Sequence, residues 1–412
     1  MPPYIPGELT DRIIGFLHDP RTLCNCSLVC CAWLPASRYA LFHTIRIRNA
    51  AQMGSLADRA ETMRPYLAAT RIVRLRASGG ARSTILTLHS LLSVLYGCFP
   101  GLEALRVYAL MISPDTSIRL DPSLLSQFAR LKEFYLNDCF VPPLYDLLRI
   151  IAALPALERL YLFRISIRFL GNAGEEAPDL AVFERTALRS LHLQWERPGH
   201  SIASVAPPAR DFAVFDVFLS VLCVTRTPST IEDVVLMPSP RSHIESVLGR
   251  GYERFAAAVG ATLVSLTMYV MANSRLSHYT NLQNLTLVNA IGCPGGGWPQ
   301  VCSMLRELRS PHIQCLRIYG MKMCGDPEGG CQCEAQPAGG LLCLLAGSGI
   351  DELDAVLGAE VFRHLAEVCL SFGRQHSSGP RTAPRELAQR VRSLIEPSLP
   401  KLRARGVITI AI

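Results

Sequence analysis

Apolar residues recur along this chain in two different rhythms. Over residues 5–47 the rhythm is helical. Leu9, Ile13, Ile14, Phe16 and Leu17 fall near a 3.6-residue period, which predicts a helix beginning at Pro6, where a missing N–H costs nothing. The His18-Asp19-Pro20 step ends it, because a residue before proline avoids the α region. Leu23, Cys26, Leu28 and Val29 give a second run from Pro20 an apolar side. Trp33, Ser37 and Leu41, spaced by four, mark a third from about Cys31. Three such short helices make a marginal core alone, so part of this surface is expected to be completed by a partner.

After residue 50 one phrase repeats: an apolar helical run, a break at Pro or Gly, then Leu-x-x-Leu-x-Leu or a close variant. Its copies start at Leu102, Leu131, Leu157, Leu188, Ile231, Leu263, Leu282 and Ile313, with spacings from 19 to 43 residues. The last two apolar positions of each are two apart, so in a strand they point to one face. The preceding helix covers that face, and such units must stack to bury it. A doubly wound α/β domain also alternates helix and strand, but its strands are more continuously apolar than these. Ile350-x-x-Leu353 and Phe362-x-x-Leu365-x-x-Val368-x-Leu370 resume the unit less cleanly. Residues 171–186, 196–210, 322–340 and 373–384 read as loops, Pro384–Ile395 as a helix, and Val407–Ile410 as a closing strand.

The strand phase also selects outward positions: Arg106, Tyr108, Tyr135, Tyr161, Phe163, His192, Tyr269, Arg317 and Tyr319. Tyrosine with Arg and His on an open sheet face is the composition of a recognition surface. Tyrosine also simply favours strands, and both readings stay open.

Several N-terminal residues carry a resemblance. Ile5-Pro6-x-Glu8-Leu9, Ile13-Ile14-x-Phe16-Leu17 and Ser27-Leu28-Val29-Cys30-x-Ala32-Trp33 resemble the F-box. Continued by Leu34-Pro35-Ala36-Ser37-Arg38 and Leu41-Phe42, the form is similar to the F-box-like proteins of mushroom-forming fungi. Ile5 stands where the family usually has Leu, and Gly7 where it often has a second proline. The repeating phrase resembles irregular leucine-rich repeats. The resemblance implies docking on the Skp adaptor of a cullin–RING (SCF-type) ubiquitin ligase, through Ile5, Pro6, Leu9, Ile13, Leu17, Leu28, Val29 and Trp33. The outward positions would then hold the target protein. A non-catalytic repeat scaffold without ligase function is the alternative.

The expected fold is therefore α/β: a trihelical F-box over 1–47, a linker and N-terminal cap over 48–80, and a leucine-rich-repeat solenoid over 81–412 with a capping helix and strand. Strands line one face of the solenoid and helices the other.

Composition narrows the classes further. Of 412 residues, 49% are hydrophobic and 18% charged, which excludes general disorder. The net charge of +7 is spread without a basic run, so no nucleic-acid partner is expected. Met1-Pro2-Pro3-Tyr4 opens no signal peptide, and Phe212–Val224 and Gly339–Ile350 are shorter than the ~20 residues that cross a bilayer. The 15 cysteines are then expected to be reduced and mostly buried, in a cytoplasmic or nuclear protein without a membrane partner. Cys24, Cys26, Cys30 and Cys31 read as helix packing. Cys324, Cys331 and Cys333, with Cys315 and Cys343, lack the matched pairs of a zinc site. No phosphate loop, H-E-x-x-H or G-x-S-x-G occurs, so neither catalysis nor a cofactor is expected.

Overall fold

A computed structural model describes residues 6–76, 97–109, 125–141, 144–167, 184–194, 209–237, 250–270, 275–291, 298–322, 350–373, 389, 392–393 and 395–411. Most of the expected loops, the helical run before Cys98 and most of the helix over 384–395 lie outside them. The chain divides into two compact units, residues 1–188 with 195–203, and residues 189–194 with 204–412.

The first unit opens with helices α1 (Gly7–Gly15), α2 (Pro20–Val29) and α3 (Leu34–His43), followed by strand β1 (Thr44–Ile47). Helices α4 (Ala50–Asp58) and α5 (Ala60–Leu67) lead to β2 (Ile72–Arg76), β3 (Ala104–Tyr108), β4 (Glu133–Asn137) and β5 (Phe140–Val141). Helix α6 (Leu144–Ala152), β6 (Arg159–Phe163) and β7 (Ser166–Ile167) complete it. β1, β2, β3, β4 and β6 lie side by side in that order, all parallel, while β5 and β7 form a separate parallel pair.

The second unit contains β8 (Ser190–Gln194), α7 (Ala209–Leu222), α8 (Thr227–Thr230), β9 (Asp233–Met237), α9 (Arg250–Val259) and β10 (Ser265–Tyr269). It continues with β11 (Asn284–Ile291), α10 (Trp298–Glu307), β12 (Cys315–Lys322) and α11 (Ile350–Leu357). β13 (Glu367–Gly373), α12 (Pro400–Arg405) and β14 (Ile408–Ala411) end it. β8 to β14 pair in sequence order, again all parallel. Helix α7 packs on α9, α10 on α11, and α11 on α12, so the helices form a layer of their own. The class is α/β.

The repeating phrase is the core of both units. Every apolar residue of the eight copies is buried, from Leu102, Leu105 and Val107 to Ile313, Leu316 and Ile318. The connection into eight of the strands is equally regular. The Arg71 carbonyl accepts from both Glu103 and Ala104 N–H, at 2.8 and 2.9 Å, and Glu103 and Lys132 do the same for the following strands. In the second unit Arg189, Glu232, Val264, Gln283 and Gln314 repeat this double acceptance. One carbonyl thus fixes where the next strand starts.

The parallel sheet starts earlier than the phrase suggests. β1 lies at the end of the stretch read as the trihelical segment, and α4, α5 and β2 occupy the stretch read as linker and cap. β2 does carry the phrase as Thr70-x-x-Val73-x-Leu75, with all three buried. Buried Thr70 satisfies its hydroxyl by donating to the Phe42 carbonyl at 2.9 Å, so it fills the position that leucine holds elsewhere. Leu365-x-x-Val368-x-Leu370 forms β13 with the same burial.

Candidate functional site

Asp19 caps α2: the hydroxyl and the N–H of Thr22 donate to its carboxylate at 2.8 and 2.9 Å, and these bonds hold the carboxyl below its ordinary range. α1 and α2 both pack on α3, and Ile14, Leu23 and Ser37 fill the interior between them. Five other large aliphatic or aromatic side chains of α1 and α2 and their ends face out. Leu9 is 52%, Ile13 58% and Phe16 69% exposed, and their i, i+4, i+7 spacing sets them in one stripe on α1 and its last turn. At the end of α2, Leu28 is 83% and Val29 61% exposed.

Of the residues expected to dock an adaptor, Pro6 is exposed too, Leu17 and Trp33 are half-buried, and Ile5 lies outside the described residues. Phe16 was not among them, although its spacing from Ile13 was the available signal. Cys24, Cys30 and Cys31 are exposed and Cys26 is half-buried. The packing expected of Cys24, Cys30 and Cys31 is therefore incorrect, because these side chains look outward from α2 and the turn after it. Among the ten described cysteines only Cys139 and Cys302 are buried, so the wider expectation of buried cysteines fails there as well.

The second surface is the outward face of the first unit's sheet. Arg106, Tyr135 and Tyr161 sit directly opposite one another on adjacent strands, as do Tyr108, Asn137 and Phe163. The rings touch: centroids are 5.2 Å apart for Tyr108–Tyr135, 5.3 Å for Tyr135–Phe163 and 5.8 Å for Tyr135–Tyr161. Asn137 Nδ2 donates to the Tyr135 hydroxyl at 2.9 Å, and burial pushes that phenol up despite this bond. Glu133 is buried and shared by two guanidinium groups, Arg106 at 2.5 Å and Arg159 at 3.5 Å. The Glu133 hydrogen bond raises Arg106 above its ordinary value.

The expected outward residues of the second unit do not gather. His192 binds Asp233, with Nε2 2.6 Å from Oδ2, and Ser190 Oγ donates to the same oxygen at 2.9 Å. Burial pulls the Asp233 carboxyl up, but the bonds from His192 and Ser190 outweigh it and hold the group below its usual range. Because Ser190 donates to the carboxylate rather than to the imidazole, this trio is not arranged as a nucleophile and its base. Arg317 pairs with Glu367 at 3.5 Å, and Cys315 Sγ donates to that carboxylate at 3.2 Å. Burial first, then this bond, pushes the Cys315 thiol up to about 11. Three strands separate His192 from Arg317.

Tyr319 is exposed, but Tyr269 is buried at 5%, contrary to its expected place on an open face. Its in-register neighbour Val288 is buried as well, so the sheet is covered at this level on the side that alternation assigns outward. A period of two assigns a side; it does not say whether that side is covered.

A cavity of about 320 Å³ lies between α10 and α11, lined chiefly by Leu305, Leu308, Val356 and Phe362. No group of three His, Cys, Asp or Glu residues able to hold a metal is present among the described residues, and Cys324, Cys331, Cys333 and Cys343 lie outside them. Among the described residues no helix is long and apolar enough to cross a membrane. No protein-family model matches the chain, and neither does any curated protein.

Proposed function

We propose that this chain is the substrate-receptor subunit of an SCF-type (cullin–RING) ubiquitin ligase. In this reading α1 to α3 are an F-box that docks on the Skp adaptor. The strand units are irregular leucine-rich repeats, and their outward face holds the target. The observation that carries the reading is the sorting of apolar residues in the first three helices. Ile14 and Leu23 serve the interior, while Leu9, Ile13, Leu28 and Val29, all on the positions that resemble the F-box, remain in solvent. Covering what remains exposed of each such side chain contributes roughly 1–2 kcal/mol, enough for several together to anchor an interface.

The chemistry would be proximity alone. A target held beside a charged conjugating enzyme gains effective concentration at its acceptor lysine, and no covalent intermediate forms on this chain. The test is direct binding of the purified chain to the Skp adaptor, beside Leu9→Asp with Leu28→Asp. Binding by the wild type that is lost in the folded double variant supports docking. A well-folded wild type that does not bind would overturn it.

A further inference from the structure

Arginine forms a column on the sheet face of the first unit. Arg46 of β1 lies opposite Arg74 of β2, and Arg74 lies opposite Arg106 of β3, in unbroken register. Two residues along β2, Arg76 lies opposite Tyr108. Neighbouring strands are about 4.8 Å apart, and like charges set directly opposite one another destabilise a sheet.

Just before the strands begin, the chain avoids this cost by alternating sign from one strand entry to the next. Arg71 pairs with Glu103 at 3.3 Å and Lys132 with Glu158 at 3.7 Å. Among the described residues, only Arg106 of the column has a carboxylate partner, Glu133. Arg46 and Arg76 are exposed and have no acidic partner among the described residues. Arg74 is half-buried, and its Nε is buried without a hydrogen-bond partner. An unpaired buried donor beside uncompensated like charges is a site prepared for anions.

We infer that this face binds an extended acidic peptide segment of a protein partner, with carboxylates on Arg46, Arg74 and Arg76 and an apolar side chain against the rings of Tyr108, Tyr135 and Phe163. The inference rests on the proposed reading that the repeat face holds a target, and it names that target's chemistry. Carboxylates at alternate residues of an extended chain are about 7 Å apart, comparable with the separation of Arg74 from Arg76 along β2. Single-stranded nucleic acid fits less well. Its bases need open, flat ring faces, whereas Tyr161 and Phe163 stack on each other at 14° and the other rings tilt against their neighbours by 42–44°.

The test is selection of peptides by the full chain from a random display library, with Arg46→Glu/Arg74→Glu and Arg46→Gln/Arg74→Gln as comparators. Melting curves identify which variants remain folded. The wild type is expected to enrich Asp and Glu together with an apolar residue. Its selected peptides should bind at least about tenfold more weakly to either folded variant and weaken with added NaCl. Selection without acidic preference, or acidic binding unchanged in the variants, would overturn the inference. So would arginine-dependent binding of oligo-dT that displaces the peptides, or a strict requirement for phosphorylated residues. Adaptor binding, measured in parallel, should be retained by the arginine variants, so failure of docking and failure of acidic recognition give separate results.

Discussion

Asp216 sits inside an otherwise apolar run of α7, yet its carboxylate reaches the start of another helix. Gly251 and Tyr252 N–H donate to Asp216 Oδ1 at 2.6 and 3.2 Å, capping α9 from outside. Buried Asp354 of α11 does the same for α12, accepting from Lys401 at 3.2 Å and Leu402 at 3.0 Å. Asp354→Ala is expected to cost about 1–3 kcal/mol of stability in denaturant titration, since it removes the cap of α12 and strands the buried Leu402 N–H. A Cβ at Gly251 would stand 2.2 Å from the Asp216 carbonyl oxygen, so the close approach of these helices requires glycine. The sequence displays Asp216 only as an interruption, because the group it serves is 35 residues away. Tyr252 and Tyr279 make a second buried polar pair; burial pushes Tyr252 up from 10.0 to about 12 and Tyr279 in the same direction. A raised folded value gives stability that is complete below pH 10 and is lost as pH rises toward 12. Unfolding free energies measured across that window should fall more steeply for the wild type than for Tyr252→Phe/Tyr279→Phe.

Helices and strands differ in how openly the sequence announces them. The eight strand copies were legible because each places three large apolar residues in a fixed pattern, and all are buried. β2 was missed because Thr70 holds the leucine position and β1 because it follows α3 without a break. With them went Arg46, Arg74 and Arg76, whereas Arg106 on β3 was already marked by the strand phase. In α1 and α2 the periodicity located the helices but did not say which apolar residues face inward. That sorting depends on how both helices seat on α3. Since Leu9 and Leu28 face solvent, Leu9→Asp with Leu28→Asp should change folding stability by no more than about 0.5 kcal/mol, as read by thermal or denaturant melts. The same outward turn predicts thiol chemistry. Cys24, Cys30 and Cys31 should react with a disulfide reagent in the native protein, while Cys302, buried and with its thiol pushed up to about 11, should wait for unfolding.

At the scale of the molecule, each unit is an array in which a strand's hydrogen bonds reach only the strands beside it. Stability in such an array is close to a sum over neighbours. Leu285→Ala in β11, where the side chain is buried, should cost about 2–5 kcal/mol. Amide exchange should quicken first in β10, β11 and β12, and least in β8 and β14 of the same unit.

The double-accepting carbonyl at the entry of eight strands has a further consequence. It sets the strand's starting point locally, from the previous strand, whatever the length of chain between them. Copies from 19 to 43 residues apart consequently deliver their side chains to the same columns. Connections can lengthen or shorten over generations while the face they leave behind keeps its alignment. Each outward position can then change by single substitutions, and the binding preference of the sheet can drift without its architecture having to be rebuilt.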